Sequence, residues 1–324
     1  MSMTLSNAQT NRMTVFRFLR SYGQIAVLVI LALILSLFTP RMFTEVNLMN
    51  LARQTSIIAL VAAGQTLIIL TGAIDLSVGA VLALCAVIFA GLLQSGYDLP
   101  VALAGALFVG ALAGLVNGVM VARFRLASFV VTLATLSVAK GLTLLYTGAS
   151  PIAITSEIAL VFGQARWFGI PAPIWLAIGV YALLWFVMRA TIFGRYVYAI
   201  GGNEEAAILA AVPVTRYKIY VFLLAGVLTG FAGVVLASRL GSAVPTAGDG
   251  MELVAITAVV LGGTSLLGGE GRIWATIVGA ALLNLISNAL NLLNVNSYYQ
   301  AVATGCIVAI AVLADRYLRS STRK

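Results

Sequence analysis

The chain has 324 residues, of which 61% are hydrophobic and 9% charged, with a formal net charge of +9, no histidine and a mean hydropathy of +1.07. Soluble domains carry about 25% charged residues, so this chain has too few to cover a water-facing surface. The composition excludes a soluble enzyme or a nucleic-acid-binding module. The basic residues sit at the borders of apolar runs, where membrane topology places them.

A spanning helix needs roughly 20 apolar residues, and apolar runs between breakers predict about ten spans, with both termini in the cytoplasm. In chain order they cover 24–38, 54–70, 76–95, 99–122, 127–147, 173–189, 218–238, 251–267, 273–293 and 298–315. A cytoplasmic tail over 1–23 precedes this transmembrane domain of 24–316, and a second tail follows over 317–324. Arg12, Arg17 and Arg20 before the first apolar run resemble a signal peptide. No small-x-small cleavage site follows, so a retained first span is expected.

This layout puts 14 of the 19 Lys and Arg residues inside, 4 outside, and Lys140 within a span. That asymmetry is the positive-inside signal for a bacterial inner-membrane protein with an even number of spans. Cys85 and Cys306 both lie in apolar stretches, and without histidine no metal centre or disulfide framework is expected.

The fourth span carries small residues at every fourth position (Ala102, Ala106, Gly110, Gly114, Gly118), and the seventh carries Gly226 and Gly230. Such stripes let helix backbones approach closely and read as bundle packing. The longest inside loop between spans, 190–217, contains Arg195 and then Gly201-Gly202-Asn203-Glu204-Glu205-Ala206-Ala207. Asn203 is a good N-cap, Glu204 and Glu205 favour the first turn, and Pro213 stops the run. A two-turn helix results, marginal on its own. It is either an ordinary surface helix or a docking element.

Several polar residues lie at or near membrane depth. Asp75 either caps the third span or belongs to a moving gate with Ser77 beside it. Lys140 either snorkels or pairs with an acid, or else faces a solute path. Asn284, Ser287, Asn288 and Asn291 share one helix face. They either bond between helices or form a neutral polar wall along a solute path.

At this point the chain resembles the ribose/xylose/arabinose type of ABC sugar permease. The resemblance rests on Glu205-Ala206-Ala207 with Ala211, on 70–79, on Gly114-Leu115-Val116-Asn117-Gly118, and on 248–253 running into 260–271. It implies that 190–217 is the coupling loop for a cytoplasmic ABC ATPase and that a periplasmic sugar-binding protein meets the other face. Pro245, Asp249 and Glu252 are the contacts expected there, with a plain hairpin as the alternative for that turn. It also implies a second permease copy as a homodimer and a monosaccharide as cargo. No Gly-x-x-x-x-Gly-Lys-[Ser/Thr] occurs, so no cofactor is expected on this chain, and ATP and Mg2+ belong to the partner ATPase. The chain departs from the resembled pattern at Ala127, Ala211 and Val254, where proline, glycine and aspartate are common. An ion-coupled secondary transporter, a membrane enzyme, and an ABC permease for a nucleoside or branched-chain amino acid are the rival readings.

Overall fold

In the computed structural model the described residues are 24–296, 298–300, 302–303, 305–307, 309 and 313. The two predicted tails lie outside this set, as does part of the predicted span 298–315. The described residues form a helical, multi-pass membrane protein. Six helices are long and apolar enough to cross a bilayer: α2 (Glu45–Leu70), α4 (Leu99–Ala122), α5 (Ser128–Thr147), α7 (Ala172–Ala190), α10 (Val214–Leu240) and α12 (Ala275–Leu292). Three shorter apolar helices are α1 (Gln24–Phe38), α3 (Val78–Gln94) and α11 (Met251–Leu261). Three more polar ones are α6 (Glu157–Gln164), α8 (Ile192–Gly202) and α9 (Glu204–Leu209).

The core is built around α2, which is buried almost without break from Ser56 to Leu70. A helix apolar on all sides needs neighbours on all sides, and α2 has α7, α10, α11 and α12 around it. Tyr181 on α7 donates from its hydroxyl to the Ala59 carbonyl at 2.9 Å, and Thr66 pairs with Thr276 on α12 at 2.9 Å. The small-residue stripe of α4 packs against α10. A Cβ on Gly110 would stand 2.4 Å from the Gly226 carbonyl oxygen, and one on Gly226 would stand 2.1 Å from that of Gly110. The stripe is therefore consumed within one copy, backbone against backbone.

The bundle has two ends. At the first, strand β1 (Ile152–Ala153) pairs antiparallel with β4 (Ser242–Ala243), and β2 (Arg166–Trp167) pairs with β3 (Ile170–Pro171). The second end holds α8 and α9, the 71–77 segment and the 262–274 segment. We call these the Arg239 end and the Gly201 end.

Two helices are clearly shorter than the apolar runs predict, and one turn departs from the expected hairpin. The predicted span 251–267 is helical only to Leu261, because Gly263, Gly268 and Gly269 all adopt φ values of 73–88° that no continuing helix allows. The predicted span 76–95 starts at Val78, after an irregular stretch that leaves α2 at Leu70. The turn after α10 is no surface hairpin. It dips into the bundle until Gly248 meets Gly79, where a Cβ on Gly248 would lie 1.9 Å from the Gly79 oxygen.

Replacing Gly226 by valine forces α4 away from α10 and should cost about 1–3 kcal/mol. Leu112, on the open face of α4 at 46% exposure, should tolerate alanine with little change. Thermal unfolding of both variants in detergent checks the pair.

Candidate functional site

The 190–213 segment folds as two short helices. The Asn203 side chain accepts from the Ala206 N–H at 2.9 Å, so α9 begins where the capping residue predicts. Lys218, on the first turn of α10, ion-pairs with Glu204. α8 was not foreseen: Gly201 and Gly202 are its last two residues. Glu205, Ile208 and Leu209 face outward, with Leu209 88% exposed, while Ala207 is buried against Ile200 and Val214. Arg195 is also exposed, on α8. A groove of about 820 Å3 runs beside α9, between the start of α10 and the Arg125–Leu126 turn.

Gly201 sits at the tightest junction at this end. A Cβ there would lie 1.8 Å from the Leu70 oxygen and 2.4 Å from the Gly269 nitrogen. The Gly269 N–H donates to the Leu70 carbonyl at 3.0 Å, and the Tyr198 hydroxyl donates to the Gly271 carbonyl at 3.0 Å. Burial pushes the Tyr198 hydroxyl pKa up, partly offset by Arg272, which keeps the phenol a donor. The α8–α9 segment therefore bears directly on the last residue of α2 and on the 262–274 loop.

Asp75 is buried at the centre of a polar cluster above this junction. Its carboxylate accepts from the Ser77 N–H at 2.7 Å and from the Ser77 hydroxyl at 2.6 Å. Asn117 on α4 donates to the Ser77 hydroxyl at 3.1 Å and accepts from Thr135 on α5 at 2.5 Å. With its amide oriented to satisfy both groups, Gln65 donates to the Asp75 carbonyl at 3.2 Å and accepts from the Asp75 N–H at 3.3 Å. Ser128 and Thr132 accept from the Ile74 and Leu76 amides. Sequence reasoning singled out Asp75 and Ser77 but missed Gln65, Asn117 and Thr135. A glutamine midway along an apolar run was the signal available.

At the Arg239 end, Lys140 binds both carboxylate oxygens of Asp249, at 2.9 and 3.0 Å. The two charges neutralise each other at the rim. Pro245 is buried, and Glu252 lies against the start of α3, 2.6 Å from where a Gly79 Cβ would be. Beside them a cavity of about 510 Å3 opens between α2, α10, α11 and α12. Of the three candidate asparagines, Asn288 exchanges amide bonds with Asn47 at 2.9 and 3.0 Å, and Asn291 accepts from Gln300 at 2.8 Å. Asn284 donates to the Leu51 carbonyl and to Thr55, both at 2.8 Å, and lines the cavity with Ser287. The structure thus gathers Asp75 with Ser77, and Lys140 with Asp249, but divides the asparagines between two roles.

A family model described as branched-chain amino acid transport system / permease component matches residues 47–311. The chain belongs to this permease family. It is 41% identical over 96% of its length to the ribose import permease protein RbsC of Haemophilus influenzae, and the match spans 97% of that protein. It is 45% identical to the RbsC of Bacillus subtilis, over 92% of this chain and 93% of that one. The L-arabinose ABC transporter permease protein AraH of Azospirillum brasilense is 38% identical, over 95% and 91% of the two chains. No solved structure matches the chain. As a transport permease it works in a system whose ATPase and solute-binding protein are separate partners.

Two departures from the resembled pattern have local explanations. Ala211 holds φ at 59°, the left-handed region in which glycine is free of strain and alanine pays about 1 kcal/mol. Ala127 has φ −60° at the N-cap of α5, a geometry proline also adopts. Val254 lines the cavity at the Arg239 end.

Asp75→Ala should leave the buried Ser77 amide and hydroxyl without an acceptor and cost about 1–3 kcal/mol. Asp75→Asn keeps the acceptor oxygen and should retain most of the stability. Comparing folded yield and melting temperature of the two variants in detergent checks this.

Proposed function

We propose that the chain is the membrane-spanning permease subunit of an ATP-binding-cassette importer that carries a monosaccharide of the pentose or hexose class across the bacterial inner membrane. The observation that carries the cargo is near-full-length identity of 38–45% to ribose and arabinose permeases. The family model's description names branched-chain amino acids, but these relatives draw the reading toward sugars. An ion-coupled transporter is not favoured, since the membrane-depth acid, Asp75, is tied up in hydrogen bonds to Ser77.

In this reading the Gly201 end faces the cytoplasm and the Arg239 end the periplasm, as the 14-to-4 distribution of basic residues favours. The exposed Glu205, Ile208 and Leu209 of α9, with the groove beside them, dock the ATPase, which holds ATP and Mg2+. Arg195 borders the same surface. Two permease copies assemble side by side, so two α9 helices meet two nucleotide-binding subunits. The binding protein seats on the Arg239 end. Because Pro245 is buried, Asp249 and the exposed tip of the 166–171 hairpin, with Phe168 96% exposed, offer more of that contact.

The mechanism follows from the junction at Gly201. A shift of α8 and α9 imposed by the ATPase moves the end of α2 and the 262–274 loop directly, because glycine leaves no side chain to absorb the displacement. The ATPase drives this only by fitting one permease conformation better than another. Asp75 and its partners hold the start of α3 in register while α2 moves, and Glu252 holds the dipping turn against it.

Reconstitution with the ATPase and binding protein should give ATP-dependent uptake of D-ribose or L-arabinose. Leucine uptake instead, or sugar uptake by this chain alone on an ion gradient, would overturn the reading. Glu205→Lys should lower uptake by roughly tenfold while ATP hydrolysis persists, and Gly201→Val should do the same where the protein still folds. Uptake and hydrolysis measured on the same proteoliposomes separate uncoupling from loss of assembly.

A further inference from the structure

The cavity rim on which Lys140 and Asp249 pair lies well below the Arg239 end of the bundle. Lys140 is seven residues from Thr147, the last residue of α5, or about 10 Å along the helix. Asp249 follows Gly248, which meets Gly79 in the first turn of α3. From Gly79 the rest of α3 rises about 22 Å to Gln94. On the other side, α11 begins two residues after Asp249 and runs only about 16 Å to Leu261, toward the Gly201 end. Measured from either end, Asp249 stands in the middle part of a hydrocarbon layer about 30 Å thick.

At that depth the pair is not enclosed by its own chain. The side chains of Lys140 and Asp249 are 43% and 50% exposed. Ser137, one turn before Lys140 on the same face of α5, is exposed as well. Hydrocarbon does not solvate ionised groups, and charged side chains at membrane depth face the bundle interior or water. Asp249 also lines the cavity of about 510 Å3, together with Arg239, Gln54 and Ser287. A void of that size with ionised and polar groups in its wall holds water.

We propose that the Lys140–Asp249 pair lines a water-filled stretch of the solute path and positions the dipping turn within it. The inference rests on the reading of the chain as a permease and deepens it. The turn is held at its start by the β1–β4 pairing and at its deepest point by the Gly79 contact. Lys140 fixes its exit, just before α11, to α5. Glu252 stands within electrostatic reach of both partners, so one lysine balances two acids. Without that lysine the acids repel each other, and nothing draws the turn to α5. Because each charge of the pair is spent on the other, neither holds back a neutral solute.

The test uses the full transporter, with its ATPase and binding protein, in proteoliposomes. Ser137→Cys and Leu142→Cys are each made in a Cys306→Ser background, Cys85 being buried. Leu142 is exposed on the opposite face of α5 at a similar depth. A small membrane-impermeant thiosulfonate should label Ser137→Cys at least about tenfold faster than Leu142→Cys, because a thiol ionises in water and not in hydrocarbon. Equal labelling of the two, in a complex that transports ribose, would show that lipid or a second copy covers this face and would overturn the path. Lys140→Glu and Asp249→Lys should each lower ribose uptake at least about tenfold, and the two together should recover it to within about threefold. The ATPase retained on the purified complex reports assembly separately. Single variants that transport like wild type, or a double variant that assembles without transporting, would overturn the positioning role. A wild-type complex that transports no pentose or hexose overturns the sugar reading alone, because the labelling does not depend on the cargo.

Discussion

A backbone amide at membrane depth has no water to turn to, so every break in a helix there must be satisfied by the protein itself. This chain breaks its helices at three such places, and several of its polar side chains meet that demand. Between 71 and 77 each backbone N–H has a partner. The first three bond to carbonyls at the end of α2, Asp75 bonds to Gln65, and the other three bond to Ser128, Thr132 and the Asp75 carboxylate. In the 262–274 loop, Ser265 serves the Leu267 amide and Leu70 accepts from Gly269. The dipping turn before α11 is closed by short-range bonds within 244–251. Irregular backbone survives at depth only where it is enclosed in this way.

The same breaks determine where motion is transmitted. α4 and α10 are locked together by glycine contact along their middles, so they move as one body. α2 is held from all sides but ends against Gly201 and Gly269, where backbone meets backbone with no side chain between. Rigid helices joined at glycine-lined points make a shift at one end a shift at the other, which compressible side-chain packing would damp. The cavity near Gln54 lies along this same α2. α8 and the cavity are thus both in contact with one helix, α2.

The sequence made the membrane class, the paired stripes of α4 and α10, and the capped α9 helix legible, because each depends on local periodicity or on a short capping pattern. Asn203 and Pro213 bracket α9 by chemistry that acts within one turn. What could not be read was tertiary. Nothing within 70–79 announces that Gln65 reaches Asp75, since the partners come from the preceding helix α2 and from α4 and α5. The span 251–267 appeared continuous because hydropathy cannot distinguish a helix from a buried glycine-rich loop of equal apolarity. The four polar residues on α12 looked equivalent for a related reason: helical spacing places them on one face, but only the neighbours show that Asn47 and Gln300 occupy two of them.

The departures at Ala127, Ala211 and Val254 show how differently one kind of sequence change acts at three sites. At 127 the backbone already has the φ of proline, so exchanging the two residues leaves the start of α5 as it is. At 211 the left-handed backbone is kept although alanine is strained in it, because Val212 must turn back to bond with the Ala207 carbonyl before α10 begins. The strain is local and small against the packing of Ala207 and Val214, so geometry wins over propensity. At 254 no backbone reason applies: an aliphatic side chain replaces an acid on the wall of the cavity. A carboxylate there would need a cation or a donor to offset its burial. Lys140, the nearby amine, is already committed to Asp249. Valine at 254 and the Lys140–Asp249 pair therefore act together to limit the charge on a lining that also carries Arg239.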